Sequence, residues 1–365
     1  MNYISNIDTI CILIDIENYQ SSTEDILKYL EEEKQKAKLY SLSNSSYKHL
    51  VNLNTMSFYL STTGTSGYAY ILHNSGFQLN VAQFKSSLKN YLPIQVRISS
   101  EYLWSYGISN SWSIIYNWIV ETFGNIITEK VFRLDLCTHV SGIDLITNYE
   151  LSYKGDFKNR QVFYSGNNIK AITFGSRKCK NIYCRIYNKT LEIQEMKHKF
   201  WFHEIWQNNS MDINNVWNIE FELKSEFLRQ FDINTVNDVI IHLQDLWKYC
   251  TAKWLIKIDR TNKRVERCNT CKDWLEIQNC YNTFNSIGLI EKQKQIELDA
   301  NFLVPNIVGN ITSYSARKGT ITIDEAFSNL YKDTKKYLLN KSSTFENEVA
   351  NKVAFLFDCE VKQNE

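Results

Sequence analysis

The spacing of apolar and polar residues changes period several times along the chain. Residues 24–39, EDILKYLEEEKQKAKL, put apolar side chains at helical spacing among charges, which predicts an exposed amphipathic helix. The polar run SLSNSSYKH at 41–49 reads as a linker. From about residue 55 the period shortens to two. SFYLS (57–61) and YAYILH (68–73) predict strands with TTGTSG as the turn between them, and IQVRIS (94–99) predicts another. Within 100–123, Leu103, Trp104, Ile114, Ile115, Trp118 and Ile119 return to helical spacing.

VFRLDLCTH (131–139) alternates, with Val131, Arg133, Asp135 and Cys137 on one face and Phe132, Leu134 and Leu136 on the other. AITFGS (171–176) and NIYCRIY (181–187) read as a hairpin joined by the basic turn RKCK, with a helix following over 188–206. WNIEFELK (217–224) alternates again and puts Asn218, Glu220, Glu222 and Lys224 on one face. Beyond it the spacing is helical over 235–257, 284–300, 323–339 and 343–356. This order predicts an α+β fold on an antiparallel sheet with a helical C-terminal part. Three regions are expected: an N-terminal helical arm (1–50), a catalytic domain (51–280) and a helical region (281–365) serving origin recognition or oligomerisation.

Composition narrows the partners only locally. The chain has 365 residues, 44% of them hydrophobic, so it can bury a large core. Lys plus Arg number 41 against 40 Asp plus Glu, so global charge points to no partner. The charge is uneven, however: residues 151–200 hold 11 basic and 3 acidic side chains, and residues 248–272 hold 8 and 2. Cations interleaved with Tyr, Phe and Trp suit nucleic acid, because the cations neutralise phosphates and the rings stack on unpaired bases.

No segment is apolar enough to span a bilayer, and the N-terminus has neither a basic n-region nor a cleavage site, so a cytoplasmic protein with no membrane partner is expected. Nine cysteines, an odd number, fit reduced thiols better than a disulfide framework. CNTC (268–271), with Cys280 and Cys250 or His242, could hold zinc as a rival reading, although the spacing of a second pair is poor. No Walker A sequence occurs, which argues against ATP binding through a P-loop.

Tyr183, Arg185 and Tyr187 share one face of their strand. Asp135 and Glu220 lie in mid-strand, where a carboxylate is disfavoured unless exposed or paired. Carboxylates on neighbouring strands could ligate Mg²⁺ or Mn²⁺ through oxygen, and a tyrosine beside them could attack phosphorus. An ordinary half-exposed sheet with cross-strand ion pairs would show the same residues.

RLDLCTH (133–139), FGSRKCKNIYCRIYNKTLE (174–192) and WNIEFELK (217–224) together resemble, in that order, the Rep_trans-type initiators of rolling-circle plasmid replication. The relaxases of integrative and conjugative elements belong to the same group. The resemblance covers roughly residues 55–280, and its most specific part is G-S-R followed by R-I-Y-N-K and L-E. It implies an HUH-like relaxase/initiator fold that nicks and rejoins one DNA strand through a covalent 5′-phosphotyrosine. It implies Tyr187 as nucleophile, with Tyr183 in reserve, and Arg185 and Lys189 against the scissile phosphate. Asp135, Glu220 and Glu192 become the metal ligands for Mg²⁺ or Mn²⁺, with Glu222 and His139 behind them.

Arg177, Lys178 and Lys180, with Arg260, Arg264 and Arg267 of the second basic stretch, would grip DNA. Implied partners are origin DNA, single-stranded or cruciform at the nick, a host helicase and a second copy of the chain. Two positions depart from the pattern: its second strand aspartate is His139 here, and the arginine before its strand glutamate is Asn218. They motivate an alternative, a catalytically silent origin-binding protein on the same scaffold. A conjugative relaxase, which needs the same nick, is the other.

Overall fold

The computed structural model describes residues 1–43, 48–85, 92–178, 181–196, 199–282, 304–350 and 352. The first strand decides the architecture. β1 (Asn2–Ile16) buries Ile7, Ile10, Ile12, Ile14 and Ile16 in the main core, so it needs partners on both edges. After it come α1 (Tyr19–Ser22) and α2 (Glu24–Ser43), then β2 (His49–Leu53), β3 (Met56–Leu60), β4 (Tyr70–His73), β5 (Phe77–Val81) and β6 (Ile94–Ile98). α3 (Ser100–Phe123) leads to β7 (Ile126–Ser141), the short β8 (Tyr153–Lys154), β9 (Arg160–Ser165), β10 (Asn168–Phe174) and β11 (Ile182–Asn188). α4 (Lys189–Met196) and α5 (Phe202–Asn208) precede β12 (Trp217–Lys224). α6 (Ser225–Gln230), α7 (Val236–Tyr249), β13 (Ile256–Lys257) and α8 (Lys272–Gln278) follow.

Among the described residues, eleven strands pair in the order β2-β3-β4-β5-β6-β1-β7-β12-β11-β10-β9, and β13 pairs with β8 apart from them. The pairings of the large sheet are antiparallel. This is the α+β arrangement that the alternation predicts. Residues 1–50 do not form a separate helical arm. Their apolar run ICILIDI pairs with β6 and β7 and makes β1 a central strand. Met1–Lys292 is one compact unit and Gln293–Glu365 another. Within the second, α9 (Val304–Lys318) and α10 (Ile323–Asn340) are joined by the Lys318–Asp333 ion pair (2.8 Å) and by Tyr314 donating to Asp333 (2.6 Å). The helix expected at 284–300 lies outside the described residues. Among the described residues no helix is long and apolar enough to cross a membrane.

The sheet has two unlike faces. The apolar face is covered by α3 and α7. Trp112, Ile115, Trp118, Ile119 and Phe123 from one, and Val239, Leu243, Leu246 and Trp247 from the other, join Leu134, Leu136, Ile186, Ile219 and Phe221 in a single core. α7 starts at a capping box, in which Thr235 accepts from the Asp238 amide and Asp238 accepts from that of Thr235. The second face carries the polar residues of β7, β11 and β12. One end of it is closed by a small apolar cluster of Ile193, Phe202, Trp206, Met211 and Val216. α3 bends at Gly107 (φ 71), and the part before the bend sends Trp104 onto this second face.

Candidate active site

Three antiparallel strands present the site in rows. Tyr187 lies opposite Asn218 and Asn218 opposite His139; Arg185, Glu220 and Cys137 make the next row, and Tyr183, Glu222 and Asp135 the third. β12 alternates Trp217, Ile219, Phe221 and Leu223 into the core, so Asn218, Glu220 and Glu222 must point the other way. All three are nevertheless buried, as is Asp135. Four buried polar side chains on one patch need partners, and most of those partners are cations.

Tyr187 is the best-connected group. Its hydroxyl donates to Glu220 Oε2 at 3.1 Å. It accepts from Asn218 Nδ2 at 2.9 Å and from Lys189 Nζ at 3.3 Å. The Arg185 guanidinium and the Lys189 ammonium both lie over its ring, 5.6 and 5.3 Å from the centroid. Arg185 also pairs with Glu220 Oε1. Burial, then the carboxylates of Glu220, Glu192 and Asp8, push the Tyr187 phenol well above its ordinary range, and Arg185 opposes them. The resting phenol therefore keeps its proton, and a carboxylate stands where it could take it. Tyr183 differs: Arg177 lies 5.9 Å above its ring, and its hydroxyl makes no hydrogen bond among the described residues.

The carboxylates are held by arginines. Arg133 donates to both oxygens of Asp135, at 2.9 and 2.6 Å, and also reaches Glu222 Oε2 at 3.0 Å. It stands between the two acids. Burial, offset by Arg133 and reinforced by Glu220 and Glu222, raises the Asp135 carboxyl from 3.8 to about 7. Glu222 Oε2 is buried without a hydrogen bond. Crowded carboxylate oxygens of this kind are the donor set of a hard divalent cation. Yet among the described residues no three His, Cys, Asp or Glu side chains are arranged to hold a metal ion. Glu192 pairs with Lys189 at 2.6 Å, because the chain turns into α4 after Asn188 and brings the two to i,i+3 spacing.

His139 is enclosed. Its Nδ1 accepts from Trp206 Nε1 at 3.0 Å, and Trp104 stacks on the ring at 5.0 Å. Burial, Lys189 and Lys199 push its pKa well down, so it is a neutral imidazole. With Nδ1 accepting, the proton sits on Nε2, which is buried without a partner. His139 and Asn218 are direct cross-strand neighbours. Asn218 serves the site by holding the Tyr187 hydroxyl.

The basic residues separate into two groups. Arg177 is more than half exposed and lies 3.7 Å from Glu222, and Lys178 is exposed beside it. Lys180 lies outside the described residues. Arg260, Arg264 and Arg267 are exposed on the loop after β13. The segment leading into that loop packs on the apolar face, where Trp254 meets Phe221. No three of the described cysteines converge on a metal site. Cys250 is in the main core, Cys268 donates to loop carbonyls, and burial raises Cys280 to about 11 beside Ser5 and Thr138.

No family model matches the chain, and no curated protein matches it. Among solved structures, a rolling circle replication initiator protein from Geobacillus stearothermophilus is similar with a TM-score of 0.48 at 12% identity, over 79% of this chain and 100% of that one.

Proposed function

We propose that this chain nicks and rejoins one DNA strand at an origin through Tyr187, and so initiates rolling-circle replication of a plasmid or mobile element. The observation that carries the reading is the Tyr187 hydroxyl, hydrogen-bonded to Glu220 and flanked by Lys189 and Arg185. Glu220 takes the phenolic proton as the oxygen attacks phosphorus. Lys189 and Arg185 offset the charge that spreads over the phosphoryl oxygens. The new bond joins the tyrosine oxygen to the 5′ phosphate. The bond to the 3′ oxygen breaks, and that oxygen takes a proton from water to become the priming hydroxyl. Because the phosphotyrosine keeps the bond energy, rejoining needs no nucleotide triphosphate, in accord with the missing P-loop. Asn218 positions the attacking oxygen.

Asp135 and Glu222, with Glu220 beside them, are the residues that would hold Mg²⁺ or Mn²⁺; Glu192, committed to Lys189, is the weaker candidate. When bound, the cation would polarise the scissile phosphate. Arg133 must give up its place between the two acids for this to happen. Arg177 and Lys178 border the same face and would grip the flanking backbone, with a second copy and a host helicase as further partners.

The test uses a supercoiled plasmid carrying the cognate origin. With Mn²⁺, wild-type protein and Tyr183→Phe should form covalent DNA adducts, and Tyr187→Phe should form none. Equal adducts from Tyr187→Phe sink the nucleophile. Adducts that form as readily in EDTA sink the metal, which paramagnetic resonance of Mn²⁺ titrated into the protein checks without turnover. Specific binding with no adduct under any metal would favour the catalytically silent reading. A relaxase would nick identically and fail to support autonomous replication.

A further inference from the structure

The polar face continues past β7. Beyond β1 it runs over β6 and β5, where a pocket of 470 Å³ opens among Asp8, His73, Arg97, Glu101, Lys199 and Trp201. That volume lies within the ordinary range of small-ligand sites. Two links tie the pocket to the tyrosine. Asp8 occupies a register shift between β1 and β7, and its charge reaches Tyr187. Lys199 in turn acts on His139. The pocket therefore lies three strands from Tyr187 across the same sheet and shares none of its hydrogen-bonding groups.

Its contents are mixed in a way that an anion site would not be. The side chains of Arg97 and Lys199 make no hydrogen bond or ion pair among the described residues. Two unpaired cations at one opening suit phosphates. The carboxylates of Asp8 and Glu101 would repel a bare anion, but they accept well from an exocyclic base amine. Asp8 is already oriented, because Ser100 donates to its Oδ1 at 2.8 Å. Trp201 supplies an aromatic wall, and it is itself braced by stacking on Phe202 at 3.8 Å.

We propose that this pocket holds an amine-bearing nucleotide of the single strand next to the bond broken at Tyr187, with Arg97 and Lys199 on its phosphates, Asp8 and Glu101 on the base edge and Trp201 against the base. The proposal rests on the strand-nicking reading. It extends the DNA track across β1 to a half of the sheet where the sequence pointed to no DNA contact.

The probe is a fluorescein-labelled oligodeoxycytidylate of about twelve nucleotides, followed by anisotropy across a salt series. Arg97→Gln with Lys199→Gln should weaken binding about ten-fold and lower the salt slope by about 1.4, since each single-strand phosphate contact contributes about 0.7. Lys38→Ala, on the exposed side of α2, should change neither. If the wild-type chain fails to bind the probe, the strand-nicking reading falls and takes the pocket with it. If wild-type protein binds and the double variant matches it in affinity and slope, the pocket alone is wrong. Photocrosslinking of wild-type protein to a 5-iododeoxycytidine strand needs no variant. A crosslink on the peptide carrying Trp201 supports the proposal, and crosslinks found only elsewhere overturn it.

Discussion

At the residue scale the site is a contest between burial and charge. Asp135 shows it most directly. Its carboxyl titrates at about 7 in the folded chain, against 3.8 as a free side chain. A carboxyl that binds its proton more tightly when folded gives the folded state more protons than the unfolded one between those two values. Stability contributed here is therefore full below pH 3.8 and is lost as pH rises toward about 7. Thermal midpoints of wild type and Asp135→Asn, taken at steps from pH 4 to 7, should converge or cross as pH rises, because the asparagine cannot ionise. Parallel profiles would mean that Arg133 holds Asp135 ionised throughout. Period-two alternation put Tyr187 and Arg185 on one face of their strand; that Lys189 and Glu220 join them was implied by the family resemblance and not by spacing. The sequence did not show Asn218 as the partner of the nucleophile, although Asn218 stands two residues from Glu220 on the same face. Asp8 was beyond its reach, because a register shift sets where that side chain goes.

At the scale of elements, the hairpin that carries Tyr187 depends on one backbone conformation. Gly175, the glycine of the FGSR run, has φ +81, and a Cβ there would stand 3.0 Å from the Ile182 carbonyl oxygen and 3.3 Å from the Trp254 ring. Gly166, in the β9–β10 turn, has φ +57 and open space around it. Alanine at either position incurs the left-handed penalty of about 1–2 kcal/mol. Gly175→Ala adds a clash and should be the more destabilising of the two in urea unfolding; equal losses would show that the turn yields. Strands with strict alternation were legible in the sequence: WNIEFELK coincides with β12 and RLDLCTH falls inside β7. β2 and β9 were not, because five or six residues with mixed polarity carry too little pattern to separate from a loop. β1 was missed for another reason. An apolar run among acids shows that something is buried, but not that its two partners begin at residues 94 and 126.

At the scale of the molecule, the site, its pocket and the whole sheet belong to Met1–Lys292. A chain ended at Lys292 should therefore keep a sheet-dominated circular dichroism spectrum and melt cooperatively; a broad, non-cooperative melt would show that the second unit is needed to complete the first. The place of β1 also governs how the sheet can form during synthesis. β1 leaves the ribosome ahead of both its partners, β6, which ends at residue 98, and β7, which ends at residue 141. At about 5–20 residues per second, β1 waits on the order of ten seconds for its second neighbour. Its isoleucine-rich edge is unpaired throughout that time, a template for the wrong strand. Folding is thus late and non-local by construction, and the nascent chain is a natural client for chaperones until β7 arrives.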